Sequence, residues 1–334
     1  VVAVNDTGLD EDHPAIASHY RGCLDPPSCT VKDHDHSWWD ATGTSPLDPS
    51  DANGHGTFCT GVAVGDDGGD NQIGMAPGAT TIHCKVLTDG GATTDAAVFE
   101  CFQWNLAPWD LAGGNPDPAL APDLVTLPWG YGGGGHAQFR DAIQALEAAG
   151  IVVVAGAGGD GPGCGTLRSP GDYREVLTVG AADRGVPYPG TIASFSSRGP
   201  SDLDPSPPYD VPDVLAPGTD IRSSLPGGAY QIWSGTAAAT AHVSGLVALM
   251  WSACPALRGD VGLTGELIAQ SATPLVGQPG SGCGGDYVDG PNNDWGHGTI
   301  QAENAVRLAL LSCGAVFADD FETGNTSAWS TAIP

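Results

Sequence analysis

The sequence predicts an α/β protein, with a doubly wound and mainly parallel central sheet and helices on both faces. Three observations carry that expectation. Short apolar runs ending in glycine or an acidic turn recur along the chain, helical patterns separate several of them, and the 50 glycines and 27 prolines punctuate the joins instead of forming one low-complexity block. Strands apolar on both faces need a sheet covered on both sides, and helices between them imply right-handed parallel crossovers. Function is then expected at the carboxyl ends of the strands.

The first strand is Val2-Ala3-Val4, running into Asn5-Asp6-Thr7-Gly8. Further strands are read at Thr81 to Val86, Asp123 to Leu127, Ile151 to Val154 and Val176 to Val179. Between them, Ala137 to Ala149 places Ala142, Ile143, Ala145, Leu146 and Ala149 along one helical face. Thr240 to Met250 is small and apolar throughout, which suits a helix buried through the middle of the molecule. A last helical run covers Ile300 to Leu311. A chain of 334 residues, 41% of them hydrophobic, supports one large core. Residues 1–315 are therefore read as a single domain, and 316–334 as an acidic, polar C-terminal tail or linker. There is no internal repeat.

A formal charge of −28 opposes binding to nucleic acid or to an anionic membrane. No stretch approaches the roughly 18 uncharged apolar residues of a membrane helix, and the opening residues read as strand and not as a basic, apolar leader. Nine cysteines without a CxxC pair fit an exported, disulfide-bearing protein, secreted or periplasmic, better than a zinc ribbon. The odd number leaves at least one thiol unpaired. Cys23 and Cys29 suit a short loop, Cys84 and Cys101 a strand-to-helix link, and Cys254, Cys283 and Cys313 compete for partners. The acidic cluster Asp66, Asp67 and Asp70 lies on a glycine-rich turn whose oxygen donors suit a structural calcium ion, though without EF-hand spacing. His34, Asp35 and His36 are compact but read as a polar turn.

Three segments carry the chemistry, in the order Asp, His, nucleophile. They are Val2-Ala-Val-Asn-Asp6-Thr-Gly-Leu-Asp with His13-Pro14, then Asn53-Gly-His55-Gly-Thr-Phe-Cys-Thr-Gly61, then Ser234-Gly-Thr-Ala237-Ala-Ala-Thr-Ala-His242-Val-Ser-Gly245. Together they resemble the signature motifs of the subtilisin-like serine peptidases, the subtilase (S8) family. Phe195-Ser-Ser-Arg-Gly-Pro200, Asp213-Val-Leu-Ala-Pro-Gly218 and Trp295-Gly-His297-Gly-Thr-Ile-Gln-Ala302 extend the resemblance over nearly the whole chain. Gly-His-Gly-Thr occurs twice, and only the copy at His55 lies in the catalytic context, so His297 is read as structural. The resemblance implies that His55 is the general base, that Asp6 orients it, and that no cofactor is required. Cys59, four residues after His55, resembles the proteinase-K-like branch and is read as buried packing.

The resemblance also exposes departures. Ala237 stands at the position of the nucleophilic serine, and Gly159 at that of the oxyanion-hole asparagine. Pro128 replaces a groove serine, while Ala238 and Ala241 replace the Met and Pro that usually follow the nucleophile. The groove itself is expected between Leu127, Pro128, Trp129 and Gly130 on one wall and Ala155, Gly156, Ala157 and Gly158 on the other. As written, the chain cannot form an acyl-enzyme.

Three readings follow. The first is a monomeric pseudopeptidase that holds an extended peptide, a protein segment or its own prosegment without cutting it. The second is a secreted serine endopeptidase captured as an engineered Ser→Ala knock-out. The third is an enzyme using Asp6 and His55 for acid-base chemistry without a covalent intermediate.

Overall fold

The computed structural model describes residues 1–183, 190–204, 210–275, 278, 280–288 and 290–314. The expected tail at 316–334 lies outside the described residues. Seven strands form one parallel sheet: β1 (Val2–Asp6), β2 (Trp38–Asp40), β3 (Thr81–Lys85), β4 (Leu124–Leu127), β5 (Val152–Gly156), β6 (Leu177–Ala182) and β7 (Val214–Pro217). Their order is β2-β3-β1-β4-β5-β6-β7. From β1 the chain goes to the sheet edge at β2, returns to insert β3 between β2 and β1, and then crosses to the other side of β1 at β4. That reversal opens a crevice at the carboxyl ends of β1 and β4, where Asp6 and the Pro128 turn lie.

Side-chain alternation divides the core into two layers. Val2, Val4, Leu124, Val152, Val154 and Val179 face one side, whereas Ala3, Ile82, Val125, Leu127, Val153 and Ala155 face the other. The first layer is covered by α1 (His55–Val64), α4 (Thr236–Ala253), α5 (Val261–Ser271) and α6 (Ala302–Ser312). The second is covered by α2 (Asp95–Leu106) and α3 (Arg140–Ala148). This two-sided burial is why the strands read as continuous apolar runs.

The expected strands and helices are present with shifted ends. The helix expected from Thr240 starts earlier, at Thr236, and α3 begins at Arg140 after a 3₁₀ turn over Ala137–Phe139. β2, β7, α5 and a hairpin of β8 (Ile221–Leu225) with β9 (Ala229–Trp233) were not expected, and α2 was expected only as the helix that carries Cys101. The hairpin buries Ser223 and Ser224 while most of β9 is exposed, and its stability comes from sitting on α1. Ser223 and Ser224 donate to the carbonyls of Phe58 and Thr57, and Trp233 stacks on Phe58.

Four disulfides pair Cys23 with Cys29, Cys84 with Cys101, Cys164 with Cys283 and Cys254 with Cys313. The first two are the expected local links. Cys59 is left as a buried free thiol. No described helix is long and apolar enough to cross a membrane.

Candidate active site and groove

Asp6 ends β1 and His55 opens α1, and a network centred on Asp51 joins the two. The Oδ1 of Asp51 accepts from the Thr7 hydroxyl and Gly54 N–H at 2.8 Å each. Its Oδ2 accepts from the Thr57 N–H at 2.8 Å and the Thr57 hydroxyl at 2.7 Å. Thr7 Oγ1 in turn accepts from Gly56 N–H at 3.0 Å. A buried carboxylate therefore caps the first turn of α1, where free N–H groups and the helix dipole favour negative charge. Close approach requires glycine: a Cβ on Gly56 would lie 2.1 Å from the Gly8 carbonyl oxygen.

Asp51 was not singled out from sequence. Its signal was an acidic residue shortly before a helix start, a pattern too common to stand out. Lys85, also buried, donates to the Thr7 carbonyl and to Asp89 and holds the same turn from β3.

The scaffold sets His55 Nδ1 at 2.8 and 2.9 Å from the two oxygens of fully buried Asp6. Asp6 Oδ1 also accepts from Thr7 N–H at 2.6 Å. Burial penalises the imidazolium, but the Asp6 charge and hydrogen bond outweigh it. His55 is accordingly held well above the ordinary histidine range. Cys59 Sγ lies 3.9 Å from the same Nδ1, one helical turn along α1. Burial pushes its thiol up to about 11, more than His55 pulls it down, so Cys59 remains an un-ionised packing group and not a substitute nucleophile.

Among the described residues, Asp6, His55 and Cys59 are the one trio of His, Cys, Asp or Glu side chains whose ligand atoms converge within 4.8 Å. Asp66, Asp67 and Asp70 do not converge in that way. Asp66 accepts from Gly68 N–H, and Asp67 accepts from Gly69 N–H and from Asn71. These carboxylates cap their own turn. The cluster at 34–36 is likewise spent on separate partners: Tyr20 for His34, Leu111 N–H for Asp35 and the Asn115 carbonyl for His36. His297 lies beyond β7, its N–H donating to the Asp213 carbonyl.

Ala237 is the second residue of α4, so its N–H is among those the helix leaves unpaired. It lines a cleft of about 440 Å³ with Gly159, Pro128, Gly130, Gly158 and Arg168. The structure thus brings positions 237, 159 and 128 together at the carboxyl edge. Trp129 and Gly156 line the same cleft, and Trp129 Nε1 donates to the Asn5 carbonyl, anchoring that wall to β1. Leu127, Ala155 and Ala157, in contrast, are fully buried, with side chains in the core. Strand alternation turns them away, leaving only their main chains to meet a ligand.

Ala238 and Ala241 also lie in the core, correcting the expectation that they belong to a remodelled groove. They bring α4 close to the sheet instead. At Gly159 there is open space, since a Cβ there would meet nothing within 4 Å.

The sequence matches the profile of the subtilase family over residues 1–298. Bacillopeptidase F of Bacillus subtilis (strain 168) is 38% identical over 322 residues, covering 94% of this chain and 21% of that protein. The serine protease AprX of the same organism is 33% identical over 331 residues, 91% of this chain and 65% of that protein. Subtilisin E is 29% identical over 257 residues, 76% of this chain and 56% of that protein. The chain spans less than two thirds of the length of each.

Proposed function

From the premise that this chain belongs to the subtilase family, we propose that it is a peptide-binding pseudopeptidase, holding an extended segment in its groove without forming an acyl-enzyme. The observation that carries the reading is the cleft at Ala237. A methyl group occupies the attacking position, Gly159 offers no side-chain donor, and Pro128 removes an N–H from the wall. In a subtilisin, losing the nucleophile costs on the order of 10⁶ in kcat, and losing the oxyanion side chain roughly 10²–10³. One designed substitution accounts for Ala237 alone. The coincidence of three changes in one cleft favours a lineage that has lost cleavage over an engineered knock-out.

The Ala237 N–H remains as a donor for a bound carbonyl, and the walls following β4 and β5 offer main-chain groups to an extended chain. Its own prosegment and unfolded protein segments are the expected occupants, in a secreted or periplasmic setting that the four disulfides suit.

The test is restoration of serine. Purified Ala237→Ser is expected to bind an unfolded protein such as casein while hydrolysing it no faster than background; efficient hydrolysis would favour the knock-out reading. The surviving His55–Asp6 pair favours a second reading, acid-base catalysis without a covalent intermediate. That reading fails if His55→Ala and the unaltered chain are equally inert toward a broad ester and amide panel.

A further inference from the structure

Resting on the groove reading, we propose that the cleft beside Ala237 selects a peptide residue with a carboxylate side chain, and that Arg168 is the residue that selects it. The chain holds 39 acidic and 11 basic Lys and Arg residues, yet the one ionisable side chain among the described residues lining this cleft is a cation. A surface so acidic would by default present carboxylates here too.

Arg168 is built into the cleft floor. Its N–H donates to the Ala157 carbonyl at 3.0 Å, and the next residue, Ser169, accepts from Tyr131 N–H at 2.7 Å. The segment therefore ties the two walls together. The aliphatic stem fills space that two glycines leave open. A Cβ on Gly130 would fall 2.5 Å from Arg168 Cβ, and one on Gly158, where φ is +109°, would fall 2.9 Å from Arg168 Cγ. Neither wall tolerates a side chain while arginine lies there.

The head group is aimed by Asp160. The Nε and Nη2 of Arg168 donate to the two Asp160 oxygens, the second at 3.0 Å. Nη1 has no partner among the described residues, and the side chain is 36% exposed, so a ligand carboxylate can reach it. A basic ligand is disfavoured, because both oxygens of Asp160 are already engaged and Asp160 itself lies outside the cleft lining. A carboxylate in the cleft would share the guanidinium with Asp160 while the residue's carbonyl approaches the Ala237 N–H.

The experiment uses the unaltered protein and four dye-labelled alanine peptides differing at one central residue, Glu, Gln, Lys or Leu, with fluorescence anisotropy as the readout. Physiological salt screens the more distant acidic surface, with a Debye length of about 8 Å. The Glu peptide is expected to bind about tenfold more tightly than the Gln peptide. Arg168→Gln should erase that difference, and Arg168→Glu should shift preference to the Lys peptide, with near-UV circular dichroism reporting an intact fold.

Equal binding of the Glu and Gln peptides by the unaltered protein overturns the assignment, whatever the variants do. If all four peptides bind alike, the groove stands and only the role of Arg168 falls. If none binds, the groove reading and this inference fall together.

Discussion

The imidazole of His55 lies with its Nδ1 2.8 and 2.9 Å from the two carboxylate oxygens of Asp6, while Ala237, the second residue of α4, brings a methyl group to the cleft it lines. No described residue hydrogen-bonds His55 Nε2. The Asp6–His55 pair is formed, and position 237 carries no hydroxyl. Five expectations follow from the site and from the elements that hold it.

Adding the oxyanion donor should raise the rate beyond what the nucleophile alone restores. Gly159 has open space for a side chain, so Ala237→Ser/Gly159→Asn is expected to fold normally. Its kcat on a chromogenic peptide should exceed that of Ala237→Ser by roughly 10²–10³. Equal rates would show that the cleft does not place residue 159 on the developing oxyanion.

His55 should stay protonated to a pH above the ordinary histidine range, because the buried Asp6 carboxylate stabilises the imidazolium against the cost of burial. Since the folded pKa is raised, the stability this proton contributes is complete below the unfolded value of about 6.5 and is lost as pH rises through the folded value. Nitrogen-detected NMR of the imidazole gives the titration directly. Asp6→Asn should move it down, and denaturation midpoints of that variant should lose the corresponding slope above about pH 6.5.

Asp51→Ala should destabilise the fold by about 3 kcal/mol, because it strips acceptors from Thr7, Gly54 and Thr57 together. It should also disorder the His55–Asp6 geometry, lowering the His55 pKa toward its ordinary value. Urea denaturation and the same NMR titration check both effects. A stability loss without a change in the titration would make Asp51 a cap for α1 only.

Asp213, half-buried with one oxygen accepting from Thr178 N–H at 2.6 Å, is pushed up to about 7 by loss of solvent, against the hydrogen bonds it accepts. Its contribution to stability is complete below the unfolded value of about 3.9 and is lost as pH rises through about 7. Asp213→Asn should flatten the fall in stability between those limits, as measured by thermal midpoints across pH.

Replacing Cys164 and Cys283 with serine should cost about 2–4 kcal/mol of stability, since the bond closes a separation of 119 residues. Cys164 lies five residues beyond Gly159, in the loop that returns through Arg168. Peptide affinity should therefore fall more than in the Cys254→Ser/Cys313→Ser variant, whose bond joins the end of α4 to the end of α6. Equal affinity in the two variants would separate this loop from binding.

The identity of the chemical groups and the class of the fold were legible in the chain alone. The runs at Val2, Thr81, Asp123, Ile151 and Val176 were legible as strands because a sheet covered on both faces buries every residue. The motifs around Asp6, His55 and Ala237 were legible because each is a local string. The elements β2 and α5 and the β8–β9 hairpin were not, because their stability comes from partners distant in sequence.

The tertiary structure alone decided which residues share a surface. It moved Ala238 and Ala241 into the core, turned Leu127, Ala155 and Ala157 inward, and brought Arg168 beside Gly130 and Gly158. It also gave Asp51 its place between Thr7 and the first turn of α1. The physical reason is common to all of these. Side-chain direction and close approach depend on how strands register and helices pack, and that information resides in pairs of segments, not in either one.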